Sequence, residues 1–185
     1  MNKQVIRDLY KTGYQYEHYP QNMTKGHDRY LMSVESITEY LEDLTVLQLN
    51  VPMKFLLIGQ LDCTDTAVAF PTFATLANTM SEWDYKIVYK EELSEIYDYK
   101  EVFGVGAKQT NPQILILDNE LNYITRWWDK SLSKKVLLKK LTTKGFEGEA
   151  RDQKIANIPE LNIRYEAKMV LNEILGLIEK SIHYL

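Results

Sequence analysis

The segment Met53-Lys54-Phe55-Leu56-Leu57-Ile58-Gly59 is apolar at consecutive positions rather than at every second one. Successive side chains of a strand point to opposite faces, so such a run reads as a strand buried on both sides. The sheet that holds it needs helices on both faces. The rest of the chain supplies them. A helix is predicted over about 28–48, with Leu31, Val34, Ile37, Leu41 and Leu44 forming one stripe. Asp28 is its expected N-cap. After the first strand come a helix at about 64–80, a strand at about 84–89 and a helix at about 91–103 anchored by Leu93, Ile96, Tyr97 and Phe103. A strand at 113–117, a turn at Asp118-Asn119-Glu120 and a strand at about 121–128 read as a hairpin. A helix follows at about 131–141. The core order is βαβαββα, an α/β class of at least four strands. Residues 142–158 are polar and glycine-containing and read as a loop. The last helix, about 159–183, carries Val170, Leu171, Ile174, Leu177, Ile178 and Ile182 on one stripe. It must pack on the core or on another subunit, which leaves a homodimer open.

The chain has 185 residues, enough for one domain with a sizeable core. Its formal charge of -4 argues against nucleic acid or an anionic membrane as a partner. No apolar run approaches the roughly 18 residues of a membrane span. His18, His27 and His183 are scattered, and no metal or other cofactor is expected. Gly104 to Thr110 superficially resembles a phosphate loop but lacks its spacing, and reads as a flexible loop. Glu91 and Glu92 read as a solvated helix face. The tyrosines at 10, 14, 16 and 19 read as packing residues. Trp127 and Trp128 fall on opposite faces of a strand, one in the core and the other exposed.

The single cysteine, Cys63, excludes an internal disulfide framework and suits a reducing compartment such as the cytoplasm. It falls between the first strand and the helix that follows. Backbone N–H groups and the helix dipole at such a position favour the thiolate. The flanking Asp62 and Asp65 oppose it. A lone thiol can also be no more than a small buried apolar group. Pro71, eight residues on, lies inside the predicted helix, and Pro112 opens the strand at 113–117.

Cys63, Pro71, Pro112 and this element order resemble the thioredoxin superfamily. The resemblance covers about residues 50–141. More narrowly, Asp62-Cys63-Thr64-Asp65-Thr66 is similar to the Trp-Cys-Gly-Asp-Ala/Ser segment of some bacterial thioredoxin-like proteins. It implies a single thioredoxin-like domain over 1–185. Its core would span about 50–141, with an N-terminal helical extension at 1–49 and a C-terminal loop and helix at 142–185. It implies that Cys63 is the attacking thiol, with Thr66 where a resolving cysteine would stand and able to bond the sulfur. Asp65 takes the variant acid's place. Pro112 would be a cis proline that, with Asn111, holds a substrate backbone. The tryptophan before the thiol is replaced by Asp62, and the buried acid six residues before it by Leu57. Two functions follow as expectations. One is a monothiol redox protein exchanging disulfides with protein or low-molecular-weight thiols. The other is a redox-inactive thioredoxin-fold binding module.

Overall fold

The computed structural model describes residues 2–43, 51–97, 102–103, 110–156, 158 and 162–182. The N-terminal helices are α1 (Lys3–Thr12), α2 (His18–Asn22) and α3 (His27–Asp43). Then come β1 (Met53–Gly59), α4 (Thr66–Ala77), β2 (Trp83–Tyr89) and α5 (Lys90–Ile96). The hairpin is β3 (Gln113–Leu117) and β4 (Tyr123–Trp128). Helices α6 (Leu132–Thr143), α7 (Gly148–Ala156) and α8 (Ile163–Ile182) complete the described elements. The expected phosphate-loop lookalike at 104–109 lies outside the described residues, as do the expected helix ends at 44–48, 98–101, 159–161 and 183.

The sheet runs β2-β1-β3-β4, with β1 parallel to β2 and the other pairings antiparallel. The apolar run of β1 divides by parity. Phe55 and Leu57 enter one core with Phe70, Phe73, Ile174 and Ile178. Leu56 and Ile58 enter the other with Ile6, Leu9 and Leu93. β3 repeats the division, Ile114 and Ile116 against Leu115 and Leu117. Helices α3, α4 and α8 therefore cover one face, while α1 and α5 cover the other. Each fully buried side chain of this kind contributes about 1.5–3 kcal/mol. The last helix packs on the core of its own chain through Ala167, Val170, Leu171, Ile174 and Ile178. No described helix is long and apolar enough to cross a membrane.

Three expectations need correction. The inward stripe of α3 departs from the predicted one at its start: Ile37 is buried and Leu41 packs against the core as expected, but Leu31 is 62% exposed, while Ser33 and Ser36 are buried beside Ile37. Serine can occupy the inner face because its hydroxyl finds a backbone carbonyl, Arg29 for Ser33 and Arg164 for Ser36. The small side chain also brings α3 close to the start of α8. In α5, Leu93 is buried but Ile96 is exposed, because the helix ends there. Finally, 142–158 contains α7, a polar helix rather than a loop throughout.

Candidate functional site

β1 ends at Gly59, and the chain turns through Gln60 to Asp65 before α4 begins. Cys63 lies in this turn and is partly exposed. Its N–H donates to the Gln60 carbonyl at 3.4 Å, and its own carbonyl accepts from Ala67 N–H at 3.0 Å. The second contact is a helical turn, so Cys63 stands at the entry of α4. Gly59 makes the tight connection possible. A Cβ there would lie 2.6 Å from Phe70 Cζ and 2.9 Å from Thr66 Cγ2.

The β1–β3 register pairs Ile58 with Gln113. Continued by two residues, it sets Pro112 opposite Gly59 and Asn111 opposite Gln60. The Asn111–Pro112 peptide is cis. Asn111 Nδ2 donates to Gln60 Oε1 at 2.8 Å, which ties this segment to the turn that carries the thiol. Gln60 Nε2 then donates to Glu91 at 2.7 Å. The Pro112 carbonyl accepts from Asp129 N–H at 2.7 Å. Trp127 is buried while Trp128, on the opposite face, is 46% exposed.

The two acids flanking Cys63 have partners of their own. Asp62 accepts from the backbone N–H groups of Thr24 and Lys25 and from the Thr24 hydroxyl. These bonds hold its carboxyl below the usual carboxylate range. Asp65 pairs with Lys134 at 2.6 Å and Lys130 at 3.0 Å. Burial raises the Asp65 pKa, but the combined pull of Lys134 and Lys130 outweighs it and the net shift is downward. Lys134 also meets Glu166 at 2.6 Å. Both Asp65 oxygens are thus occupied by lysines, which makes the residue a brace between α4, α6 and α8 rather than a free substrate contact. Thr66 is fully buried, and its Oγ1 has no hydrogen-bond partner among the described residues. The expected bond from Thr66 to the sulfur is therefore not made in this arrangement.

The thiol opens onto a cleft of about 440 Å³ lined by Gln60, Leu61, Asp62, Cys63, Tyr89, Glu91 and Glu92. Parallel pairing sets Tyr89 beside Gly59, so the start of α5 lies next to the thiol turn. The N-terminal segment packs against two of these lining residues, Tyr89 and Glu92. Tyr14 stacks on His18 at 4.0 Å, His18 Nδ1 is 2.8 Å from the Tyr89 hydroxyl, and Tyr14 donates to Glu92 at 2.9 Å. Tyr19 is fully buried with no hydroxyl partner among the described residues. Burial, then the nearby Cys63, Tyr89 and Asp62, push its pKa up. The tyrosines pack as expected, Tyr10 and Tyr19 in the two cores and Tyr14 and Tyr16 against the core that holds Tyr19, and Glu91 is exposed. What the sequence reading misses is that Glu91 and Glu92 line the cleft beside the thiol. The available signal is topological: parallel strands joined by a helix bring their C-terminal ends together, where clefts form.

A parallel–antiparallel sheet with helices on both faces and a thiol at the end of its central strand defines a thioredoxin-like α/β protein. The chain belongs to the thioredoxin family, whose model, described as Thioredoxin, matches residues 13–141. The match begins well before residue 50 and so takes in α2 and α3. A crystal structure of a protein of unknown function from Pseudomonas aeruginosa is similar in fold, with a TM-score of 0.64 at 13% identity over 95% of this chain and 97% of that one. An HIV epitope-scaffold is similar at a TM-score of 0.63 and 13% identity, over 94% and 97% of the two chains. No curated protein matches the chain.

Proposed function

We propose that this protein carries out thiol–disulfide exchange with Cys63 as its one attacking sulfur. The observation that supports this most directly is placement: a partly exposed thiol opens onto a cleft at the entry of α4, beside the tethered Asn111–Pro112 segment. The Cys63 thiolate attacks one sulfur of a disulfide. A mixed disulfide forms, the original S–S bond breaks, and the departing thiolate takes a proton from solvent. A second thiol, from a low-molecular-weight compound or a protein, attacks the mixed disulfide and returns Cys63 to its reduced form. Asn111 and Pro112 flank the substrate chain. A reducing cytoplasm, bacterial in this reading, supplies the second thiol.

A second reading, a redox-inactive binding module, draws support from Thr66 and Leu57, both fully buried. The first offers no resolving thiol, and the second offers no acid. The two readings part in a turnover assay with hydroxyethyl disulfide as substrate and excess glutathione as reductant. Exchange requires turnover above the uncatalysed rate, a Cys63 adduct in the intact mass spectrum, and loss of both in Cys63→Ser. A folded chain with neither adduct nor turnover is the binding module.

A further inference from the structure

We propose that the outer face of α6 docks this protein on an anionic membrane surface. The contact is independent of the chemistry at Cys63. Leu132, Lys135, Val136, Lys139, Lys140 and Thr143 recur at the three- and four-residue intervals that share one helix face. Leu132 is 65% exposed and Val136 44%, and Lys139, Lys140 and Thr143 are exposed with them. The helix is anchored to the body at its start, where Leu132 N–H donates to Glu173 and Lys134 reaches Asp65 and Glu166. Its sequence holds lysines but no Asp or Glu.

The face is positive. Lys139, Lys140 and Lys144 take part in none of the ion pairs among the described residues. Lys130 and Lys134, by contrast, are matched by Asp65, Asp129 and Glu166. Lys135 lies 3.9 Å from Asp129 and 5.3 Å from the centre of the Trp128 ring, and so joins that exposed ring to the helix. Arg126 is the second cation on the ring, at 5.5 Å. The formal charge of -4 is an average over the chain and conceals this basic face.

The face is also apolar. Val136 and Thr143 line a cleft of about 380 Å³ with Lys139, Lys140 and Lys144, whose aliphatic stems supply much of its surface. Lysines that cover apolar surface with their stems and keep their ammonium groups in water suit the boundary between headgroups and acyl chains. Tryptophan favours the same boundary. A protein partner needs about 800 Å² of matched surface on each side, whereas a bilayer receives a narrow stripe without shape matching. The phosphates of nucleic acid complement the lysines but not Leu132 and Val136.

Each lysine close to an anionic leaflet strengthens binding about fivefold, so Lys139, Lys140 and Lys144 together give on the order of a hundredfold. The test uses the full chain with vesicles of phosphatidylcholine alone and of equal parts phosphatidylglycerol and phosphatidylcholine. Sedimentation measures binding. Trp83 and Trp127 are buried, so a blue shift of tryptophan fluorescence on binding reports Trp128. Binding to the anionic vesicles should be about a hundredfold tighter than to the neutral ones, with a blue shift, and the difference should shrink at high salt. The triple variant Lys139→Gln, Lys140→Gln, Lys144→Gln should bind the anionic vesicles no better than the neutral ones. Equal binding of the unaltered chain to both vesicles, or binding to neither, would overturn the proposal. So would anionic binding that the folded triple variant keeps, because another surface would then carry it. Binding of polyglutamate or of a DNA oligonucleotide in place of the vesicles would overturn it in favour of that class of partner. Self-association lost in the triple variant, with no vesicle binding, would make the face a contact between copies. The vesicle and salt comparisons need only the unaltered chain.

Discussion

Gly59 governs how closely α4 approaches β1, and through it where the thiol turn sits. With no Cβ, it admits the Phe70 ring edge and the Thr66 methyl into space that a side chain would claim. Gly59→Ala should cost about 1–3 kcal/mol through overpacking. Urea unfolding measures the loss, which should be accompanied by altered reactivity at Cys63 because Thr66 begins the displaced helix. Thr66 invites a second substitution. Residues three apart on a helix bring their Cα atoms within the roughly 4.4–6.8 Å that a disulfide spans. Thr66→Cys should therefore form an internal disulfide with Cys63 under oxidation and release mixed disulfides without an external thiol, as intact mass and a turnover assay would record. A folded, oxidised Thr66→Cys chain that stays two free thiols would contradict this placement. Cys63 and Pro112 are legible in the sequence because thiol and proline chemistry confine them to few roles. Glu91 and Glu92 are not, since surface glutamates look alike until the fold sets them beside the thiol.

Among the elements, α6 has no buried residue yet is fixed to the domain by charge. Lys134 joins Asp65 of the α4 entry to Glu166 of α8, and Ser131 caps the helix by accepting from Lys134 N–H. The two acids titrate in opposite senses. Asp65 has a lowered folded pKa, so its stabilisation is present above the ordinary value of about 3.9 and is lost as pH falls through the lower folded value. Asp65→Asn should cost about 2–3 kcal/mol at neutral pH. That difference should fade in unfolding curves taken progressively below about pH 4. Burial raises the Glu166 pKa despite Lys134, so ionising it costs more in the fold than in the unfolded chain. Glu166→Gln should therefore gain stability relative to the unaltered chain as pH rises from about 4 to neutrality. The same unfolding series reads both signs. These long-range pairs carry no local sequence signature. Nor does the inner face of α3, where serines replace the leucine that periodicity favours, or α7, whose composition is that of a loop. β1, β3 and the apolar stripe of α8 are legible because continuous burial leaves a continuous apolar record.

The molecule as a whole is held by two cores that meet through the sheet. Phe55 lies 4.7 Å from the Phe73 ring and 4.9 Å from that of Trp83, fully buried. Phe55→Ala should lower unfolding stability by about 3–5 kcal/mol, a large share of the total for a domain of this size. A shift of that order in the denaturant midpoint checks the helix-covered face. The α/β class and the element order through 50–141 are readable from the sequence because strand and helix periodicities alternate cleanly there. The covering role of α1 and the edge pairing of Tyr14 with Ile87 on β2 are not, because each is made by residues distant in sequence. The fold presents the thiol in a cleft rather than hiding it, and that claim has one direct measurement: the second-order rate of Cys63 with hydroxyethyl disulfide in the native chain and in the chain unfolded by urea, at one pH. A site built for exchange should react faster native than unfolded. A native rate well below the unfolded one would show a thiol that the fold shields, and would contradict the exchange reading.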